Sequence, residues 1–411
     1  MKRFRKLIAM VLCLTLVGAF FTACTKSGNG SDATPAQEAT PTEVLTPTPT
    51  EVPATPTPTP NPLDDMTLKD LYADDFKIGI AVQTGSLGSK PVMDEISSQF
   101  NSMTLENASK PEALLRMKES KEGLPGTYTD PVVDVDGLAS YMKFAKENGI
   151  AVRFHTLLWH SQTPAWLFTE DYTVGGAKVS REVMLKRMES YIRQVMTLME
   201  EKYPGQVYCY DVVNEAIDPG HGDPDGLRTA SLWYEVVGRD FMNYAFEYAR
   251  KYAPEGVDLY YNDYNCYMKT KEIINVLKPI LEAGNIDGIG MQSHMTASQN
   301  VERTIVGPAA EFTAAGFKVQ LTELDIGIEK ETETNLELQA IKYKVLFKKV
   351  REAKQSGKID LDCITVWGLY DSASWRADEY PLMYKMKAGK LMRKRAWYGA
   401  MQDPSIKAIE I

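Results

Sequence analysis

Glu147-Asn148-Gly149-Ile150-Ala151-Val152-Arg153-Phe154 joins the end of a helical pattern to a short β-branched and aromatic run, with one glycine at the junction. Glycine adopts the left-handed backbone that closes a helix without a Cβ penalty, so the octet reads as helix, stop, strand. The same unit recurs along the chain. Pro204-Gly205 precedes Val207 to Tyr210, Glu255-Gly256 precedes Val257 to Tyr261, and Ala283-Gly284 precedes Ile286 to Met291. Ala315-Gly316 precedes Phe317 to Leu321, and Ser356-Gly357 precedes Ile359 to Trp367. Helical periodicity fills the intervals: Leu232, Val236, Phe241, Tyr244, Ala245 and Tyr248 recur at three- to five-residue steps. Phe76 to Ile80 and Phe100 to Met103 bring the strand candidates to eight. Eight βα units without a Gly-rich dinucleotide fingerprint after the first strand predict an α/β fold, a closed (β/α)8 TIM barrel rather than a doubly wound sheet.

The barrel is expected over residues 66–411, and the residues before it are of another kind. Lys2, Arg3, Arg5 and Lys6 form a basic start, Leu7 to Phe21 is uncharged and mostly apolar, and Thr22-Ala23 precedes Cys24. This pattern resembles a bacterial lipoprotein signal, which implies cleavage after residue 23 and lipidation of Cys24. The run is short for a bilayer span of about 20 apolar residues. Residues 24–65 follow as a linker; Thr34 to Pro62 holds nine of the chain's 22 prolines, a composition for extended polyproline II rather than a core. The expectation is an extracellular domain held at the cell surface by a lipid and a semi-rigid spacer. Losing the signal would take the net charge from −9 to −13. An acidic chain lacks the Lys and Arg excess needed to grip a phosphate backbone, so no nucleic-acid partner is expected. Cys209, Cys266 and Cys363 are too scattered for a disulfide framework or a C-x-x-C metal pair. No metal, no cofactor and a monomer are expected.

In such a barrel the chemistry belongs at the carboxyl ends of the strands. Those positions read Glu106 and Asn107 (strand two), His155, Trp159 and His160 (three), Asn214 and Glu215 (four), and Asn262 and Asp263 (five). Gln292 and His294 (six), Glu323 and Asp325 (seven) and Trp367 (eight) complete the set, which takes three of the four histidines. Two glutamates across a barrel mouth suit glycoside hydrolysis as general acid and nucleophile. Aromatic faces suit sugar rings, amides suit hydroxyls, and an uncharged substrate needs no basic groove. No H-E-x-x-H or P-loop competes.

Several stretches carry a family likeness. Phe100-Asn101-x-x-Thr104-x-Glu106-Asn107-x-x-Lys110, His155 to Gln162, Asp211 to Ala216, Gly290 to His294 and Thr322 to Asp325 resemble, in order, the motifs of glycoside hydrolase family 10, the retaining endo-β-1,4-xylanases. The likeness covers essentially all of residues 66–411. It implies Glu215 as acid/base and Glu323 as nucleophile, their carboxyls about 5–5.5 Å apart. It further implies Asn214 on the sugar 2-hydroxyl, with His294, Asp325 and Gln292 in support. Glu106, Asn107, Lys110, His155, Trp159, Gln162, Asn262, Tyr264, Trp367 and Trp375 would bind substrate, xylan or xylo-oligosaccharides. Phe154 stands where the family commonly has Gly, Leu105 where Pro is usual and Tyr210 where Trp is common. Phe154 is therefore expected to reshape the region near the mouth.

Other readings stand beside these. Asp263 has equal claims as an N-cap of the next helix and as a site residue. Asp325 shares a face with Glu323 and is expected to orient His294 against it. Trp233 and Trp397 read as helix packing, and His221, in a Gly/Asp/Pro loop, as surface. A β-1,4-glucanase on the same barrel is an alternative, because glucose differs from xylose by one hydroxymethyl group. A two-lobed sugar-binding lipoprotein is another, disfavoured by a single run of eight βα units.

Overall fold

A computed structural model describes residues 61–123 and 128–409. Its strands are β1 (Lys77–Val82), β2 (Ser102–Leu105), β3 (Ala151–Trp159), β4 (Val207–Asn214), β5 (Asp258–Asp263), β6 (Gly288–Met291), β7 (Lys318–Gly327) and β8 (Leu361–Val366). Each pairs in parallel with the next, and β8 pairs with β1 through Lys77 opposite Cys363, which closes the barrel. The eight strands are those expected, six from the glycine-punctuated units and two, β1 and β2, from the apolar runs at Phe76 and Phe100.

The main helices between and after them are α1 (Lys90–Gln99), α2 (Ala139–Glu147), α3 (Arg181–Lys202), α4 (Phe241–Tyr252), α5 (Thr270–Glu282), α6 (Gly307–Ala314), α7 (Glu333–Gln355) and α8 (Arg395–Ala400). Apolar faces such as Met184, Met188, Tyr191, Ile192 and Val195 of α3 pack on the outward side chains of the strands. No described helix is long and apolar enough to cross a membrane.

Alternation along each strand sends its other side chains inward. That interior is polar: Arg153 Nε donates to Gln320 Oε1 (2.7 Å) and Arg153 also forks onto Asp211, all three fully buried. Gly290 leaves room at the mouth, where an added Cβ would stand 2.5 Å from Asn262 Oδ1. The three described cysteines are free and buried.

Phe154 corrects an expectation. It lies opposite Tyr210 in the β3–β4 register with ring centroids 5.0 Å apart, both rings shut off from solvent. Arg153 and His155 point inward, so Phe154 points out to the helix layer and does not shape the mouth. The linker boundary also shifts. Asn61 Nδ2 donates to Asp403 Oδ2 (3.0 Å) and Tyr398 OH to Asp64 Oδ1 (2.7 Å), so residues 61–65 already pack on the barrel. The signal segment and Cys24 lie outside the described residues.

Candidate active site

The carboxyl ends of the strands surround a cleft of about 460 Å³. Glu215 and Glu323 both line it, Glu215 directly after β4 and Glu323 from within β7. Glu215 follows the last residue of β4 in a left-handed conformation (φ +56°), with its N–H on Asn262 O (2.9 Å) and its carbonyl accepting from Arg228 Nε (2.9 Å). Its carboxylate accepts from Trp159 Nε1 (3.0 Å) and Gln292 Nε2 (2.8 Å). Each oxygen keeps a second lone pair for the cleft.

Glu323 is set deeper, 5% exposed. Asn262 Nδ2 donates to its Oε1 (2.8 Å), and His294 Nε2 lies 3.3 Å from its Oε2. Burial alone would raise its pKa. The hydrogen bond from His294, the charges of His155 and His294 and the Asn262 bond outweigh burial and hold the carboxyl at about 2. His294 shows the converse. Burial disfavours its cation, but Asp325, 2.9 Å from Nδ1, and Glu323 raise it to about 10. Each partner thus favours the charged form of the other, the Glu323 carboxylate and the His294 imidazolium.

The other predicted residues divide into cleft wall and support. Lys110 Nζ donates to Asn107 Oδ1 (3.0 Å) and Gln162 Oε1 (2.8 Å), and lies 4.7 Å from the Trp159 ring centroid. Burial lowers the Lys110 pKa and raises that of Glu106, which Asn107 touches at 3.4 Å. His155 Nδ1 pairs with Asp211 Oδ2 (2.7 Å), and its ring meets Trp367 edge-on at 5.6 Å. Tyr264, Trp367 and Trp375 line the cleft; Trp375 is 61% exposed while its Nε1 donates to Asp325 Oδ2 (3.1 Å). Asn214 lines the cleft and accepts from Asn262 Nδ2 (3.0 Å). Asn262 and Asp325 are fully buried behind the cleft surface.

Asp263 is not a helix N-cap. It is buried, ion-paired with Lys269 Nζ (2.7 Å) and bonded to Tyr261 OH, and burial raises it to about 6. Lys269 in turn lies 3.9 Å from the Tyr264 ring centroid. Trp233 and Trp397 are core residues and His221 is exposed. Asn265, which lines the cleft, and Arg228, Arg376 and Lys269, which hold its walls, were not among the predicted residues. Asn265 directly follows Tyr264, a signal that was available; the three basic residues carry none of their own.

A parallel eight-stranded barrel whose mouth presents two glutamates, ringed by amide and aromatic side chains, defines the class. The chain belongs to Glycosyl hydrolase family 10, whose model it matches over residues 67–403. It is 36% identical to endo-1,4-beta-xylanase B of Butyrivibrio fibrisolvens over 353 residues, covering 83% of this chain and 54% of that protein. Identity to endo-1,4-beta-xylanase A of Thermotoga maritima is also 36%, over 77% of this chain and 29% of that one. The chain thus spans about half or less of these curated relatives. Among solved structures, the CBM22-1–GH10 modules of Clostridium thermocellum endo-1,4-beta-D-xylanase 10B, complexed with xylohexaose, superpose with a TM-score of 0.74. Identity is 34%, and the match covers 83% of this chain and 68% of that one. An intracellular xylanase of Thermoanaerobacterium saccharolyticum gives a TM-score of 0.71 at 30% identity, covering 82% and 99%.

Proposed function

We propose that this protein is an endo-1,4-β-xylanase that cleaves internal β-1,4-xylosidic bonds with retention of configuration. The observation that carries the reading is the unequal setting of two glutamates in one cleft. Glu323 is buried and kept ionised by His294 at about 2, whereas Glu215 is half-exposed at the opening. An ionised carboxylate is what a nucleophile needs, and a more open carboxyl can exchange protons.

In the first step Glu323 attacks the anomeric carbon and forms a glycosyl ester as Glu215 gives its proton to the departing glycosidic oxygen. In the second, Glu215, now a carboxylate, takes a proton from water as that water attacks the same carbon and releases Glu323. The positive charge of His294 stabilises Glu323 before attack and after release. Asn214 would hold the 2-hydroxyl. Glu106, Asn107 and Lys110 would hold the next sugar, with Trp159, Trp367 and Trp375 as walls. The named activity of the relatives and the xylohexaose bound to one of them support xylan as substrate.

Reducing-sugar release from xylan against carboxymethylcellulose tests substrate class: greater release from xylan is expected, and release from cellulose alone refutes the reading. Proton NMR of the first product should show the β-anomer; an initial α-anomer refutes retention. We also read residues 1–23 as a signal and Cys24 as a lipid anchor at the cell surface, with the Thr/Pro tract as spacer. The basic start, the apolar run and the small residues before Cys24 support that reading.

A further inference from the structure

Asp325 has more donors than the orientation of His294 requires. Its fully buried carboxylate accepts from His294 Nδ1 (2.9 Å), Trp375 Nε1 (3.1 Å) and Arg376 Nη1. One of those donors belongs to the ion chain that ends on Glu323, and another to the most exposed aromatic of the cleft wall. Arg376 is 10% exposed along its side chain and spans two carboxylates, Asp325 on one side and Glu379 on the other. It also donates to Met295 O (3.1 Å), next to His294.

The strand beneath is shaped for this pair. An added Cβ on Gly327 would lie 2.5 Å from Glu379 Oε2 and 2.8 Å from Arg376 Nη2. Ile326 N–H donates to Pro381 O (3.0 Å) and Ile328 N–H to Glu379 O (2.8 Å), which fastens the loop of Trp375 to the end of β7.

We propose that Arg376 is a positioning residue that locks the Trp375 wall and the Glu323–His294 pair to the shared carboxylate of Asp325, with Glu379 and Gly327 seating its far end. The division of labour follows from the two ends of the guanidinium, a single Nη1 bond to Asp325 and a fork of Nε and Nη2 onto Glu379. The Asp325 end stabilises a buried negative charge and so fixes His294 against Glu323. The Glu379 end fixes the loop and so fixes Trp375 against a bound sugar. Losing the first impairs the chemical step; losing the second impairs binding.

The inference rests on the proposed glycosidase reading, and an aryl β-xylobioside with a good leaving group separates the two. If the wild-type protein does not cleave it, the functional reading fails. If it does, the variants decide the role of Arg376. Glu379→Gln and Gly327→Ala should raise KM at least threefold with kcat within twofold of wild type. Arg376→Gln should raise KM and lower kcat at least tenfold. Arg376→Lys, which returns a donor to Asp325 but not the fork to Glu379, should recover kcat while KM stays high. In ¹⁵N-labelled protein the Trp375 indole signal, assigned with Trp375→Phe, should move in Arg376→Gln. A structural brace alone would lower melting temperature and leave this KM-against-kcat split absent. Unchanged kcat and KM in folded Arg376→Gln, or a kcat loss in Glu379→Gln without a change in KM, overturns the proposal. Should Arg376→Gln not fold, Glu379→Gln, Gly327→Ala and Arg376→Lys carry the same test.

Discussion

Replacing His294 by Phe removes a cation from between two buried carboxylates while keeping a ring against Trp375, which His294 meets at 4.9 Å. Glu323 is lowered from 4.5 to about 2, a difference worth about 3 kcal/mol. His294 is raised from 6.5 to about 10, worth about 5 kcal/mol, but Asp325 supplies the larger share of that rise. The net lowering of Glu323, in which burial opposes His294, His155 and Asn262, sets the scale for the Glu323–His294 contact. The signs of the two groups oppose. The depressed carboxyl stabilises the fold above 4.5, and that stability is lost as pH falls toward 2. The raised imidazole stabilises it below 6.5, and that stability is lost as pH rises toward 10. The variant should thus fall furthest behind wild type between pH 4.5 and 6.5, by about 3 kcal/mol or on the order of 5 °C in melting temperature, with a smaller gap at pH 3 and pH 10. Activity gives an independent reading. Without His294, burial pushes Glu323 upward with less opposition, so the acid limb of kcat/KM should move up to pH 4.5 or beyond. A stability gap that is flat from pH 3 to 10, together with an unmoved acid limb, refutes the ion-chain argument.

Glu215→Ala should retain its first step on an aryl xylobioside that needs no protonation and give a β-azide when azide replaces the missing base-assisted water; Glu323→Ala should be inactive without azide. A β-azide from Glu323→Ala, with Glu215→Ala dead on the activated substrate, reverses the two roles. Cys24→Ser should leave the membrane fraction with specific activity unchanged, and a mature-length variant still in that fraction refutes the anchor. A chain starting at Asn61 should melt like the full chain, whereas one starting at Thr67, without the Asn61–Asp403 and Asp64–Tyr398 bonds, should melt lower by differential scanning calorimetry. Phe154→Ala should cost about 3–5 kcal/mol in chemical denaturation while KM stays unchanged, since the cavity opens toward the helices.

The barrel was legible because helix-stop glycines punctuate six of its eight units, and the cleft because a strand end fixes which side chains face the axis. Both are local signals. What stayed hidden depends on where long side chains end. Arg376 reaches an aspartate 51 positions away, and Arg228 a carbonyl 13 positions back. Asp263 had two local readings, helix cap or site residue, and the structure gives it a third, an ion pair with Lys269, which turns inward to it rather than out to solvent. Phe154 and Tyr210 differ from both cases, because their meeting was within reach of the sequence. Each immediately precedes a polar residue that must point into the barrel, His155 in one strand and Asp211 in the next. Aligning the adjacent strands on those two inward residues, which do pair at 2.7 Å, puts Phe154 opposite Tyr210 on the outward face. Two departures that look unrelated along the chain then become one contact. The added phenyl group fills space beside a tyrosine where the family commonly carries the larger tryptophan, and the inward His155–Asp211 pair keeps its place.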